Sequence, residues 1–416
     1  MKVVLFDINR LTFEGGAEKY FTEVGEELAK KGHDVYFLGD CRPFLKFYIC
    51  LSAFQFLNPI WKSPKLFTQL NNPPTLRKNT GKYIAHIPLK FSSLFWFSSE
   101  KKKVRNLLNS ADLIIIKNEI FELLFYRWLN IKNRKNYVLV FTPIVYPEAK
   151  SIRTRAHNFF YQGSFYKSLV KHIGKVIVSN ENDEKLFEKH FQLDRGDIFN
   201  IPYGLGNSYF PQKNEIVVDL KFNVLFAGRM EEQKGVIYLK QIIESVNKIE
   251  FMQGDSSQYC KESPCKSISF ALVGSGPLEE IPRQLAEKYS NVEYKGQLSP
   301  EEVRKFYLRS DLVIIPSKWE TFSYVCLEAQ ACGCPVVAFN VPGPADIIQN
   351  QSGDLIMPKD LTSFEKSIWK YYKIKKKDII KYTTFRKNIS QTAKLTYSLE
   401  KTIKNIEQLA NDQKFL

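Results

Sequence analysis

Two glutamates eight positions apart, Glu320 and Glu328, lie in the segment of this sequence that carries the most groups able to do chemistry. That segment runs from Asp311 to Ala338. Its apolar run ends at Pro316 and predicts a buried strand; a loop then carries Glu320, and a helix is expected to begin near Thr321 to Ser323. Loop and helix start then share the carboxyl edge of a sheet, where open α/β sheets bind ligands. Free N–H groups at a helix start attract phosphate, so Thr321, Phe322 and Ser323 can hold a diphosphate through backbone donors. Glu328, farther along the same helix, can accept hydrogen bonds from both hydroxyls of a ribose. Glu320 is left in an exposed loop, facing a sugar.

Cations come from a second element, Phe222 to Gly235, which reads as a strand, a loop with Arg229 and Lys234, and a helix. Departure of a nucleoside diphosphate builds negative charge on phosphate oxygens, and fixed positive charges aimed there lower the barrier. Chemistry of that kind can instead use a metal held by an Asp-x-Asp pair. No Asp-x-Asp occurs in this sequence. We therefore expect no metal and no cofactor. A glycine-rich turn, Gly274-Ser275-Gly276, lets backbone approach a nucleotide, although position 279, where a dinucleotide fingerprint needs a third glycine, is Glu279. Gly15-Gly16, before the first long helix, can approach the donor phosphates in the same way.

Blander readings exist for each feature. The two glutamates suit a helix start as surface charges, Arg229 and Lys234 suit a solvated loop, and Gly274 and Gly276 suit a tight turn. His33 follows a helix-capping glycine and reads as structural. Cys326, Cys332 and Cys334 read as small packing residues.

Taken together, these elements resemble the large retaining GT-B glycosyltransferase family, often numbered family four, which includes bacterial surface-polysaccharide and lipid-glycosylating enzymes. The Glu-x7-Glu pair, Glu320 and Glu328, is that family's signature. The resemblance is dense over Phe222 to Asp346 and thinner earlier, where Gly15-Gly16, Lys31 to Val35 and Val176 to Ser179 also match. It implies that Glu320 contacts the donor sugar, Glu328 the ribose, and Arg229 and Lys234 the diphosphate. It also implies a nucleotide-diphosphate sugar donor, a carbohydrate or lipid-linked acceptor, and a donor site between two domains facing across a cleft. Two departures stand out: Ile116-Lys117-Asn118-Glu119 replaces a segment in which many members carry a histidine, and Tyr203 replaces a common asparagine.

The elements that position these groups follow a βαβ rhythm. Seven β-rich runs fall between Lys2 and Pro202 and six between Phe222 and Met357, which predicts two doubly wound, Rossmann-like domains. Clustered Gly204, Gly206, Asn207 and Pro211 mark the linker. The expected division is an acceptor-side domain over 1–205, a nucleotide-sugar domain over 206–390 and a helical tail over 391–416. At 416 residues the chain is too long for one growing core, and its 44% hydrophobic and 25% charged content is that of a globular protein.

The start carries Asp7 where a signal peptide needs apolar residues, and no run reaches a membrane span, so a cytoplasmic location is expected. Cys260 and Cys265, in an evident loop, cannot complete a zinc site alone. The formal net charge of +16 admits polyanionic partners. Nucleic acid is set aside for want of any recognised module. An anionic membrane surface is retained because Pro43 to Trp61 is aromatic-rich, with Lys46, Lys62, Lys65 and Lys101-Lys102-Lys103 nearby. That stretch equally suits an acceptor tunnel or a buried helix. A non-catalytic protein of the same fold that only binds a nucleotide sugar or glycan is the alternative to an enzyme.

Overall fold

A computed structural model describes residues 1–7, 16–39, 84–88, 99–132, 136–141, 145, 152–212, 215–217, 219–253, 267–349 and 352–411. The chain divides into two compact units, one of Met1–Tyr203 with Thr402–Leu416, the other of Gly204–Lys401. Gly15, the Pro43 to Trp61 stretch with Lys46, Lys62 and Lys65, and Cys260 and Cys265 lie outside the described residues.

In the first unit the strands are β1 Lys2–Asp7, β2 Asp34–Gly39, β3 Ile84–Pro88, β4 Leu113–Lys117, β5 Asn136–Leu139, β6 Val176–Val178 and β7 Ile198–Asn200. They form one parallel sheet in the order β3-β2-β1-β4-β5-β6-β7. Helices α1 Gly16–Lys30, α2 Ser99–Asn109, α3 Ile120–Leu129, α4 Ile152–Gln162, α5 Ser164–Ile173 and α6 Glu181–Lys189 connect them. Such a sheet is covered on both faces, and β4 is accordingly apolar along Leu113 to Ile116 and buried throughout. Gly32, at φ +100°, ends the first crossover; its N–H donates to the Ala29 carbonyl, and that of His33 to Leu28, before the chain enters β2. Asn180 caps α6 by accepting from the Asp183 N–H at 2.8 Å.

The second unit holds β8 Phe222–Ala227, β9 Ile268–Val273, β10 Val292–Gly296, β11 Leu312–Ile315, β12 Val336–Phe339 and β13 Gly353–Ile356, all parallel, in the order β10-β9-β8-β11-β12-β13. Its helices are α7 Val236–Gln253, α8 Glu280–Lys288, α9 Pro300–Arg309, α10 Tyr324–Ala331, α11 Pro344–Ile347, α12 Leu361–Lys377 and α13 Ile379–Tyr397; α14 Leu399–Asn411 follows, and from Thr402 onward it belongs to the first unit. A capping box of Ser299 and Glu302, with Pro300 at the first helical position, starts α9. The core packs Val224, Phe226, Leu272 and Ile314 of the sheet against Leu239 and Ile243 of α7 and Phe364 of α12.

Strand order locates the ligand edge. The chain enters the second sheet at β8, builds outward through β9 and β10, then returns to the other side of β8 as β11, so the order reverses between β8 and β11. Loops leaving the carboxyl ends of those two strands flank the crevice where such sheets bind ligands. The opposite edge is closed by a buried ionic cluster. Lys375 of α12 donates to Asp311 Oδ2 and to the Lys221 carbonyl, both at 2.7 Å, and Arg386 of α13 lies 3.9 Å from Asp311 Oδ1.

Candidate functional site

Four loop segments of the second unit meet at its carboxyl edge. After β8 the backbone passes Gly228 at φ +149° and Arg229, and a single 3-10 turn, Glu232–Lys234, then leads into α7. Gly235 ends the turn at φ +72°; a Cβ there would lie 1.8 Å from the Pro316 carbonyl oxygen, so only glycine lets the turn rest on the end of β11. The Lys318 N–H donates to the Gln233 carbonyl at 2.8 Å, and Gln233 Nε2 to the Trp319 carbonyl at 3.2 Å. The loop carrying Lys234 and the loop carrying Glu320 are therefore zipped together.

That zipper brings Lys234 Nζ to 2.7 Å from Glu320 Oε1, and the Ser317 hydroxyl donates to the same oxygen at 2.9 Å. The sequence placed Glu320 in an exposed loop; its side chain is in fact only 6% exposed. The reason is compensation, because a carboxylate leaves water only where a countercharge and a hydrogen bond replace hydration, and Lys234 and Ser317 supply both. Arg229 is placed differently. Its side chain is 65% exposed, with a guanidinium nitrogen 2.9 Å from Glu231 Oε1.

The glycine-rich turn after β9 lies against this loop. A Cβ on Gly274 would sit 1.8 Å from the Gly228 oxygen, and one on Gly276 would sit 2.7 Å from the Met230 oxygen. Met230 N–H donates to the Ser275 carbonyl at 2.9 Å, and Leu278 N–H to the Met230 carbonyl at 2.8 Å. The close approach both glycines permit here is to the backbone that presents Arg229.

Helix α10 starts at Tyr324, one residue beyond the expected start, with Ser323 as its N-cap. Ser323 sits in the left-handed region at φ 70°, ψ 76°, and its hydroxyl is buried with no hydrogen-bond partner. A serine N-cap ordinarily accepts from a first-turn N–H, and the Ser323 side chain makes no such bond. Phe322 is buried, and the backbone of Gly343, at φ +89°, passes where a Cβ would lie 2.7 Å from the Phe322 oxygen. Thr321 is half-buried. Glu328 lies roughly 7 Å along the helix axis from its start. Its Oε2 accepts from the Tyr307 hydroxyl at 3.2 Å. Burial, reinforced by the Glu328 charge, pushes the Tyr307 hydroxyl far above its ordinary pKa, so it remains a proton donor. Cys326, Cys332 and Cys334 are buried, which raises their thiols, that of Cys334 to about 11. Such thiols pack and do not react.

Ser317, Gln233 and Tyr307 are site partners that sequence reasoning missed; only their nearness in sequence to strand ends or to α10 could have suggested them. In the first unit the corresponding reversal of strand order lies between β1 and β4. There Lys117 is buried, with Nζ 3.4 Å from Asp7 Oδ1. Asn118 Oδ1 accepts from the Phe141 N–H at 2.9 Å, and Glu119 accepts from the Tyr161 hydroxyl at 2.5 Å, so the segment that replaces the family histidine is tied into this unit. Tyr203 is buried, donates to the Val140 carbonyl at 2.7 Å, and stacks on Phe141 with centroids 4.8 Å apart. Gly16 is the first residue of α1.

Comparison with known proteins follows the same outline. The family described as Glycosyl transferases group 1 matches residues 221–373, the stretch that contains every second-unit site residue named above. Among curated relatives, a putative teichuronic acid biosynthesis glycosyltransferase of Bacillus subtilis, TuaC, is 26% identical over 51% of this chain and 51% of its own length. The matched region spans about a third to a half of the first curated relatives' lengths. Solved structures match over nearly the whole chain. A sucrose-phosphate synthase from Thermosynechococcus elongatus aligns with TM-score 0.68 at 18% identity, over 99% of this chain and 98% of its own. HepE of Anabaena, solved in complex with UDP, aligns with TM-score 0.66 at 18% identity over 100% of both chains. Identities this low speak for the fold alone. Residues 221–373 thus resemble the glycosyl transferases group 1 family, and the two Rossmann-like units have the GT-B fold.

Proposed function

We propose that this chain is a glycosyltransferase that moves a sugar from a nucleoside-diphosphate donor to a carbohydrate or lipid-linked saccharide, with retention of configuration and without a bound metal. The observation that carries the reading is the Lys234–Glu320 pair, held 2.7 Å apart at the reversal of strand order and next to the uncapped start of α10. A diphosphate seated on the amides of Thr321, Phe322 and Ser323 would bring its leaving charge to Lys234 and Arg229. Lys234 would then be shared between phosphate and Glu320, and Glu320 is freed to meet a sugar hydroxyl. Glu328, steadied by Tyr307, is the ribose acceptor. Gly274 and Gly276 set the backbone beside the nucleotide. No side chain of the site is assigned as a nucleophile. Acceptor attack occurs on the face the diphosphate leaves, with a leaving-group oxygen as base.

HepE was solved with UDP, which accords with a nucleotide-sugar donor, and TuaC is described as a teichuronic acid biosynthesis glycosyltransferase, which accords with a role in surface polysaccharide synthesis. The first unit takes the acceptor and the second the donor. UDP, GDP and ADP sugars, tried in turn, should separate by thermal stabilisation, since a ligand at 100 times its dissociation constant adds about 2.7 kcal/mol. The stabilising donor should release its nucleoside diphosphate when an acceptor is supplied, and NMR of the product should show the donor's anomeric configuration. Binding without turnover across an acceptor panel would favour a non-catalytic nucleotide-sugar protein, and an inverted product would refute retention.

A further inference from the structure

Away from the candidate site, the outer strands of the second sheet depart from the burial expected of a parallel sheet. Strands covered on both faces keep apolar side chains throughout. Here Ser269 and Ala271 of β9 are half-buried, and Glu293 and Lys295 of β10 are exposed. Glu293 stands beside Ala271 in register, and Ser269 beside Asn223 of β8, so these side chains share one face. Small residues on that face leave a hollow of about 380 Å³ between the strands and the end of α9. A second hollow of about 220 Å³ continues along α9 to Leu298, just beyond the carboxyl end of β10. Phe306 and Arg309 of α9 line both hollows, which makes them one groove. The larger hollow alone falls in the range of small-ligand sites, roughly 300 to 1,000 Å³.

The lining has the chemistry of a saccharide subsite. Phe306, half-buried at the middle of the groove, offers an apolar surface to the C–H face of a pyranose ring. Asn223, Ser269 and Ser290 bring amide and hydroxyl groups to the sugar hydroxyls. Charge narrows the choice further. Glu293 and Lys295 are paired at 2.9 Å, and Glu302 accepts from the Ser299 N–H at 2.9 Å in the capping box of α9. Lys305 and Arg309 remain: both are exposed, and neither side chain makes a hydrogen bond or an ion pair among the described residues. Four positions apart on α9, they repel one another across a helical turn, and a bound anion relieves that repulsion. The Arg309 fork suits a carboxylate or a phosphate held by two hydrogen bonds. Glu293 and Glu302 in the same groove would oppose the closely spaced phosphates of a nucleic acid. We propose that this groove binds an acidic saccharide, one bearing carboxylate or phosphate, at a site apart from the transfer centre. The proposal rests on the proposed function only for the class of its occupant.

The experiment is calorimetric titration of the full chain, without donor, at low and high salt. The probes are a galacturonate tetrasaccharide, a phosphate-bearing oligosaccharide of like length, neutral maltotetraose and a short polyglutamate. The wild type should bind an acidic saccharide with an affinity that falls at high salt, and should bind maltotetraose and polyglutamate at least about tenfold more weakly. The tighter of the two acidic saccharides names the anionic group. Lys305→Gln with Arg309→Gln should weaken that binding about tenfold or more at an unchanged melting temperature, since both side chains are exposed. Phe306→Leu keeps the apolar bulk without the ring and should weaken binding about threefold or more. Release of nucleoside diphosphate to a short soluble acceptor should be unchanged in both variants. Because the titration needs no turnover, a wild type that transfers no sugar would refute the proposed function and leave the binding result to stand by itself. The proposal is overturned if the wild type binds neither acidic saccharide, or if both variants bind like the wild type. It is also overturned if polyglutamate binds as tightly as the saccharides, since the groove would then attract negative charge alone.

Discussion

Glu320 and Lys234 work as one unit, and Glu328 and Ser323 can each be tested apart from that pair. The ribose contact proposed for Glu328 would be present in ground and transition states alike, so Glu328→Ala should raise the donor dissociation constant while leaving kcat little changed. Loss of hydrogen bonds to a charged group predicts a tenfold or larger effect, about 1.5 to 3 kcal/mol. Calorimetry showing unaltered donor affinity removes the ribose assignment. Ser323 combines a left-handed backbone, costing about 1 to 2 kcal/mol for a non-glycine residue, with a buried hydroxyl that has no partner. Glycine relieves both while losing about 0.5 to 1 kcal/mol of chain entropy. Ser323→Gly should therefore raise stability by about 1 kcal/mol, or some 2 to 4 °C in melting temperature for a unit of this size. A melting temperature that falls would mean that the serine is stabilised by an interaction absent from this account.

At the scale of elements, the sheet was legible because parallel strands covered on both faces appear as continuous apolar runs. The apolar runs Phe222 to Ala227 and Ile268 to Val273 are β8 and β9 to those residues. What the runs could not show is contact across sequence distance. Burial of Glu320 depends on Lys234, 86 positions away, and the order of strands that joins them is a property of the folded sheet. The Lys375–Asp311 pair, 64 positions apart, is another instance, and it staples α12 to the entrance of β11. Burial disfavours the charged form of both partners, and we hold the pair to be ionic because Lys375 also donates to the Lys221 carbonyl and Asp311 Oδ2 also accepts from the Asn223 N–H. Lys375→Met leaves Asp311 buried without its main partner and should cost about 3 to 5 kcal/mol. Adding Asp311→Leu should recover part of that loss in urea unfolding. Equal stability of Lys375→Met and wild type would show that the pair does not hold the helix.

Across the whole molecule, the final helix returns to the first unit, a placement no local pattern in the lysine- and tyrosine-rich tail announces. His33 Nε2 donates to Glu407 Oε1 at 2.8 Å, Lys31 to Glu407 Oε2 at 3.2 Å, and Tyr137 to the Leu409 carbonyl at 3.1 Å. Partial burial pushes the Glu407 carboxyl up, but the hydrogen bonds and charges of His33 and Lys31 outweigh it and hold the group below the ordinary carboxylate range. Its stabilisation is thus present above about pH 4.3 and is lost as pH falls through the lower folded value. Protection of α14 amides against hydrogen exchange should be lower in Glu407→Gln than in wild type above about pH 4.3 and converge with it as acid protonates Glu407, and identical profiles would deny the clamp. The central claim concerns the other unit: Glu320 acts on the sugar while Lys234 and Arg229 carry the leaving charge that a metal would otherwise carry. The most direct test is the rate of nucleoside diphosphate release from the stabilising donor in excess EDTA, for wild type and for Glu320→Ala. The account predicts an undiminished wild-type rate in EDTA and a fall on the order of 10²-fold or more in the variant, with donor binding kept. A wild type that is silent in EDTA and restored by added Mg²⁺ or Mn²⁺, or a variant that turns over like wild type, would contradict it.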